Sequence, residues 1–160
     1  MDSLTDQQVC EYFHRSYKAV DGLWFMKVEE KYDFNAALDI DEEVWKVMPK
    51  IQARMIKSML RKGETQATLL ESLNVKLSLE GFNFKMEQDT SGFRIRISDC
   101  PWHTLMVKSG REKFSGAVGT TICAIEYSIW ISEFNENMEF TFGIQKCKGS
   151  KYCILNFKKS

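Results

Sequence analysis

The chain has 160 residues, 44% of them hydrophobic and 28% charged, the length and make-up of one globular domain with a core of its own. Lys plus Arg and Asp plus Glu are both 22, so the net charge is zero, which argues against a broad nucleic-acid surface. No apolar run is read as approaching the ~20 residues of a membrane span, and the polar, acidic start MDSLTDQQVCEYF does not read as a secretory signal.

Residues 1–80 read as helical. Asp6 is the expected cap of a first helix to about Val20, with Val9, Tyr12, Phe13, Ser16 and Tyr17 near one face. Asp21-Gly22 is read as a bend or break before a segment that ends near Tyr32-Asp33. Asn35 is the expected cap of a helix from Ala36 to Val47, and Pro49 opens the next, with Ile51, Met55, Ile56, Met59 and Leu60 at helical spacing. Arg61-Lys62-Gly63 ends it. Thr65 to Leu79 is amphipathic, with Leu69, Leu70, Leu73, Val75 and Leu77 on one side, and Gly81 stops it.

From Phe82 the hydrophobic period shortens to 2. Phe82, Phe84 and Met86, a Ser91-Gly92 turn, then Phe93, Ile95 and Ile97 predict a hairpin with one buried face. Residues 102–109 read as an extended segment or a helical turn. Gly110 to Phe134 reads as mainly helical, with Val118, Ile122, Ile125, Ile129 and Trp130 inward. Met138 to Gln145 and Tyr152 to Phe157 are strands around a tight turn, Lys148–Tyr152. The expected fold is α+β: a single domain whose N-terminal helices (1–80) pack on an antiparallel sheet belonging to a β-β-α-β-β half (81–160).

Four of the five cysteines fall in that second half: Cys100, Cys123, Cys147 and Cys153. Cys100, Cys147 and Cys153 stand where elements start or stop, and Cys123 lies inside a helical run. In a reducing cytoplasm, thiols from distant segments point to a metal, because soft sulfur donors about 2.3 Å from one centre make a closed site. Cys100-Pro-Trp-His103 adds an imidazole to the candidate ligands. Zinc and an iron–sulfur cluster both suit the set. The competing reading is core packing, since free cysteine is among the most buried residue types; Cys10, alone in the first helix, is assigned to packing.

A strand ending in CP, a helix with an internal cysteine and a final hairpin C-KGSKY-C together resemble the vinyl-reductase-type small-molecule-binding domain. That domain is itself similar to the heme–nitric-oxide-binding and vesicle-tethering (TRAPP) folds. The resemblance implies zinc ligands at Cys123, Cys147 and Cys153 beside a ligand pocket. The acidic fourth ligand of the related sensor domains of aromatic-responsive bacterial regulators has no match, because Ile144 stands at about its place, so Cys100 or His103 would substitute. The whole chain, from HRSYKAVDGLWFMKVEEKY through DCPWHTLMVKSGRE to the last hairpin, also resembles a prokaryotic family described as similar to L-2-amino-thiazoline-4-carboxylic acid hydrolase.

His14, Asp21 and Glu29 would share one face if their helix were continuous. His14, Asp21, Trp24, Trp45 and Trp102 are the candidate pocket residues, although the tryptophans serve equally as core. Glu29-Glu30 and Asp41-Glu42-Glu43 read as solvated, and Lys108, Arg111 and Lys113 lack a phosphate-cradle pattern. The functional expectation is a cytoplasmic, metal-binding, small-molecule-binding or sensory domain, expected to be a homodimer. The alternative is a hydrolase of a small cyclic C–N compound, with metal-bound water or Cys100 (paired with His103) as nucleophile. A third reading is a homodimeric interaction module without ligand chemistry.

Overall fold

The computed structural model describes residues 4–61, 68–134 and 137–160. Their order is α1 (Asp6–Lys31), α2 (Phe34–Trp45), α3 (Met48–Leu60), α4 (Leu69–Leu79), β1 (Asn83–Asp89), β2 (Gly92–Asp99), α5 (Pro101–Lys108), α6 (Glu112–Phe134), β3 (Met138–Phe142), a 3-10 turn (Lys146–Lys148) and β4 (Cys153–Lys159). The α+β expectation holds, with helices first and an antiparallel four-stranded sheet after them. The chain forms two compact units, Met1–Glu43 and Val44–Ser160.

In the first unit α1 runs unbroken through Asp21-Gly22, where a break was expected. Gly22 does not adopt the left-handed conformation, and a glycine inside a helix costs only about 1 kcal/mol. The cap is Thr5 rather than Asp6. The Thr5 hydroxyl accepts from the Gln8 N–H at 3.2 Å, and the Gln8 side chain accepts from the Thr5 N–H at 2.9 Å, so two otherwise orphaned donors are satisfied together. Likewise Asp33, not Asn35, starts α2: its carboxylate accepts from the Ala36 N–H at 2.8 Å. The Phe25 and Phe34 rings meet at 5.8 Å across the bend between the two helices.

The second unit is built on the sheet, in the order β1-β2-β4-β3. Alternation in β2 sends Phe93, Ile95 and Ile97 to the same side as Leu155 and Phe157 of the neighbouring β4. There Phe157 stacks on Phe93 at 4.5 Å and meets Tyr127 of α6 edge-on at 5.9 Å. Ala53 and Ile56 from α3, Leu69, Leu73 and Leu77 from α4, and Trp130 from α6 complete the core. α4 and α6 thus cover one face of the sheet, and α3 packs against both of them.

The buried helix faces match the expected Leu69, Leu73, Leu77, Ile122 and Trp130 but differ elsewhere. On α3 the inward residues are Pro49, Gln52, Ala53 and Ile56, while Ile51, Met55 and Met59 stay exposed. α4 starts at Leu69 with Thr68 as its cap, and the expected start at Thr65, like Lys62-Gly63, lies outside the described residues. On α6, Ser115, Ile122, Glu126, Tyr127 and Trp130 are buried, whereas Val118, Ile125 and Ile129 are half-buried. The segment 102–109, expected to be extended or a helical turn, belongs to the short helix α5 up to Lys108, with Pro101 in its first turn. Against the expectation of no span-length apolar run, the 23-residue α6 is long and apolar enough by composition to cross a membrane. It packs here on the sheet, with Tyr127 against Phe140 at 5.2 Å.

Candidate functional site

The four C-terminal cysteines come to one end of the sheet from four separate elements. Cys100 caps α5 directly after β2, Cys123 lies on α6, Cys147 sits in the 3-10 turn and Cys153 begins β4. All are free and half-buried, while Cys10 on α1 is exposed.

Small residues on α6 make the convergence possible. Ser115, Gly116, Gly119 and Cys123 share a helix face, and a Cβ at Gly119 would stand 2.9 Å from the Cys147 sulfur. One at Gly116 would stand 3.2 Å from the Cys147 carbonyl, to which the Ser115 hydroxyl donates at 3.4 Å. Gly149, at φ 89°, closes the 3-10 turn in the left-handed conformation that glycine tolerates best. Lys146 ties the pieces together: its N–H donates to Cys153 Sγ at 3.1 Å, and its ammonium donates to the Ser98 carbonyl at 2.6 Å and to Asp99 at 3.2 Å.

The electrostatics follow from that crowding. Burial pushes the Cys100 thiol up to about 11, against the opposing pull of the nearby His103 and Trp102 backbone N–H groups, although its side chain makes no capping hydrogen bond to α5. Burial raises Cys123 well above an ordinary thiol, and the charges of Glu126, Cys100, Cys147 and Cys153 would raise it further. Cys147 is raised by burial and by Cys153. The thiols are thus near enough for each ionisation to oppose the next.

In donor chemistry the set offers four soft sulfurs in one neighbourhood, one of which accepts the Lys146 N–H. In spacing the set is open. Among the described residues no three His, Cys, Asp or Glu side chains are arranged as a ready ligand group. His103, in the first turn of α5, keeps a buried Nδ1 without a hydrogen-bond partner, and Ile144 is exposed.

A buried charge network beside Cys123 escaped the sequence reading. Lys76 of α4, 2% exposed, lies 2.9 Å from Glu80 and 2.7 Å from Glu126, which is one turn beyond Cys123 on α6. Gln52 of α3 donates to Glu80 at 3.1 Å. Burial by itself would lower the Lys76 pKa, but Glu126 and Glu80 together raise it above that of a free lysine. Glu126 is raised, by burial first and against the pull of Lys76. A lone glutamate within the apolar run TTICAIEYSIW was the available signal.

Of the five candidate pocket residues, the structure brings two together. Trp45, buried, and Trp102 meet edge-on at 6.1 Å. His14, Asp21 and Trp24 belong to the first unit, where the unbroken α1 sets His14 and Asp21 on one half-buried face and leaves Trp24 62% exposed. Burial pushes the Asp21 carboxyl up to about 6. Within the second unit an open groove of about 620 Å³ runs between the start of α4 (Thr68, Leu70, Glu71), the β1–β2 turn (Gly92, Phe93) and Met138. It lies at the start of β2, the opposite end of that strand from Cys100.

The sequence matches, over residues 4–157, a family of unknown function, DUF6125, and the chain belongs to that family. No curated protein and no solved structure matches it.

Proposed function

We propose that the protein is a metal-binding domain that recognises a small molecule, with Cys100, Cys123, Cys147 and Cys153 as thiolate ligands of zinc or of an iron–sulfur cluster. The observation that carries this reading is the arrival of four thiols, from elements up to 53 positions apart in sequence (100 to 153), at one end of the sheet. Packing alone does not require a glycine facing one of those sulfurs and a backbone N–H donating to another. Buried neutral thiols would give up their protons to solvent as a cation takes their place, so binding would be proton-coupled and would draw the sulfurs together. When bound, such a centre would supply a cross-link between α6 and the last strand. The groove near Phe93 and Met138, whose lining also includes Glu71, Gln88 and Asn137, has the volume of a small-molecule site. The same chemistry implies a reducing compartment, the cytoplasm.

The hydrolase reading, drawn from the resemblance to thiazoline-carboxylate hydrolases, receives less support. Its nucleophile would be Cys100, but burial raises that thiol, and the imidazole Nδ1 of His103, the base it would need, has no hydrogen-bond partner. The test is elemental analysis with an absorption spectrum on protein purified without oxygen, for the wild type and Cys147→Ser/Cys153→Ser. About one zinc per chain, lost in the variant, is the expected result. A brown protein with iron and sulfide would make the centre a cluster, and metal-free wild-type protein would refute the reading.

A further inference from the structure

The longest helix has no buried residue at all. At 3.6 residues per turn, Val9, Tyr12, Phe13, Val20, Leu23 and Trp24 fall within about 120° of the α1 circumference. Every one of them is exposed, by 38 to 67%. Ordinary amphipathic helices turn such a stripe inward. On α1 the half-buried face is instead the one carrying His14, Asp21 and Glu29.

We infer that this stripe is a self-association surface, on which the α1 helices of two copies pack antiparallel across a two-fold axis at Ser16. Area is the first argument. Six side chains exposed to this degree offer on the order of 600 Å² of largely apolar surface, beyond the few hundred Å² a monomer commonly leaves open and close to the ~800 Å² that one partner brings to a standard interface.

Symmetry is the second argument. An isologous contact requires a surface complementary to itself after a two-fold rotation. The stripe is nearly palindromic about Ser16: Tyr12 stands four residues before it and Val20 four after, Val9 seven before and Leu23 seven after. Antiparallel docking sets the Tyr12 ring over Val20 of the other copy and Val9 against Leu23. Ser16, the one small residue on the stripe, permits close approach where the axes cross.

Charge is the third. Asp6 lies in the first turn and Lys31 in the last, with Lys27 one turn earlier on the stripe. Antiparallel packing brings each Asp6 toward Lys27 and Lys31 of the other copy, where Lys27 already pairs with Glu30 at 2.7 Å, and opposes the two helix dipoles, whereas parallel packing would set Asp6 against Asp6. The inference is independent of the cysteine site.

Sedimentation velocity on the full chain, from about 1 to about 100 µM with reductant, reads the association directly. The wild type is expected to be a dimer in this range. Val20→Glu and Leu23→Glu should each raise the dissociation constant at least about 100-fold with the circular dichroism spectrum unchanged. A wild type that stays monomeric at the highest concentration overturns the inference, and so does a dimer indifferent to both substitutions.

A second measurement covers the case in which a glutamate variant misfolds. In a Cys10→Ser background, a short bismaleimide should link two copies through Ser16→Cys and not through Arg15→Cys, which lies on another face. Equal cross-linking from both positions, or none from Ser16→Cys, would refute the two-fold at Ser16.

Discussion

Replacing Lys76 with methionine tests the buried network most sharply. The side chain fits the same space, so the main change is loss of one positive charge between two carboxylates. Lys76 is 2% exposed and its contacts are 2.9 Å to Glu80 and 2.7 Å to Glu126, so solvent cannot take over from the ammonium. Removing one partner from a buried ionic cluster costs about 3–5 kcal/mol, against a total of roughly 5–15 kcal/mol for a domain. The pH dependence has a definite sign. The folded pKa of Glu126 stands above its reference of 4.5, so its protonated form favours the fold. That contribution is complete below the reference value and is lost as pH rises through the folded pKa. Without Lys76 the folded pKa climbs further, and the deficit of the variant should widen from about pH 5 to about pH 8. Urea unfolding of both proteins at the two pH values measures it. A loss under about 1 kcal/mol, or an equal loss at both pH values, would refute the assignment of Lys76 as the charge that holds Glu126 inside.

Two glycines in helices should respond oppositely to alanine. Gly22→Ala meets nothing within 4 Å and should raise the melting temperature through a helix gain of up to about 1 kcal/mol. Gly119→Ala has the same intrinsic gain but places a methyl 2.9 Å from Cys147 Sγ. It should not stabilise the protein, and it should speed alkylation of Cys147, read by mass spectrometry. Asp21→Asn should stabilise the fold above about pH 6 by up to about 3 kcal/mol and give no advantage near pH 4. The reason is that a carboxyl raised by burial contributes stability below its unfolded pKa and loses it as pH rises through the folded value; thermal melts across that range check it.

Periodicity in the sequence was enough to determine the α+β class, the turn at Ser91-Gly92 and the inward alternation of Phe93, Ile95 and Ile97, because these depend on neighbours along the chain. That Cys100, Cys147 and Cys153 would meet was also suggested by their places at element boundaries. Tertiary structure decided the rest. Which side of α3 is inward depends on Ala53 and Gln52 meeting other elements, not on the apolar spacing of Ile51, Met55 and Met59. Lys76 reads as a surface residue until Glu126, 50 positions on (76 to 126), is folded against it. The stripe on α1 is the reverse case: local pattern identifies it as apolar, yet the fold leaves it facing solvent. Local sequence sets which residues share a face, but only the packing of distant segments sets which face is covered, because burial is a property of the surfaces that meet.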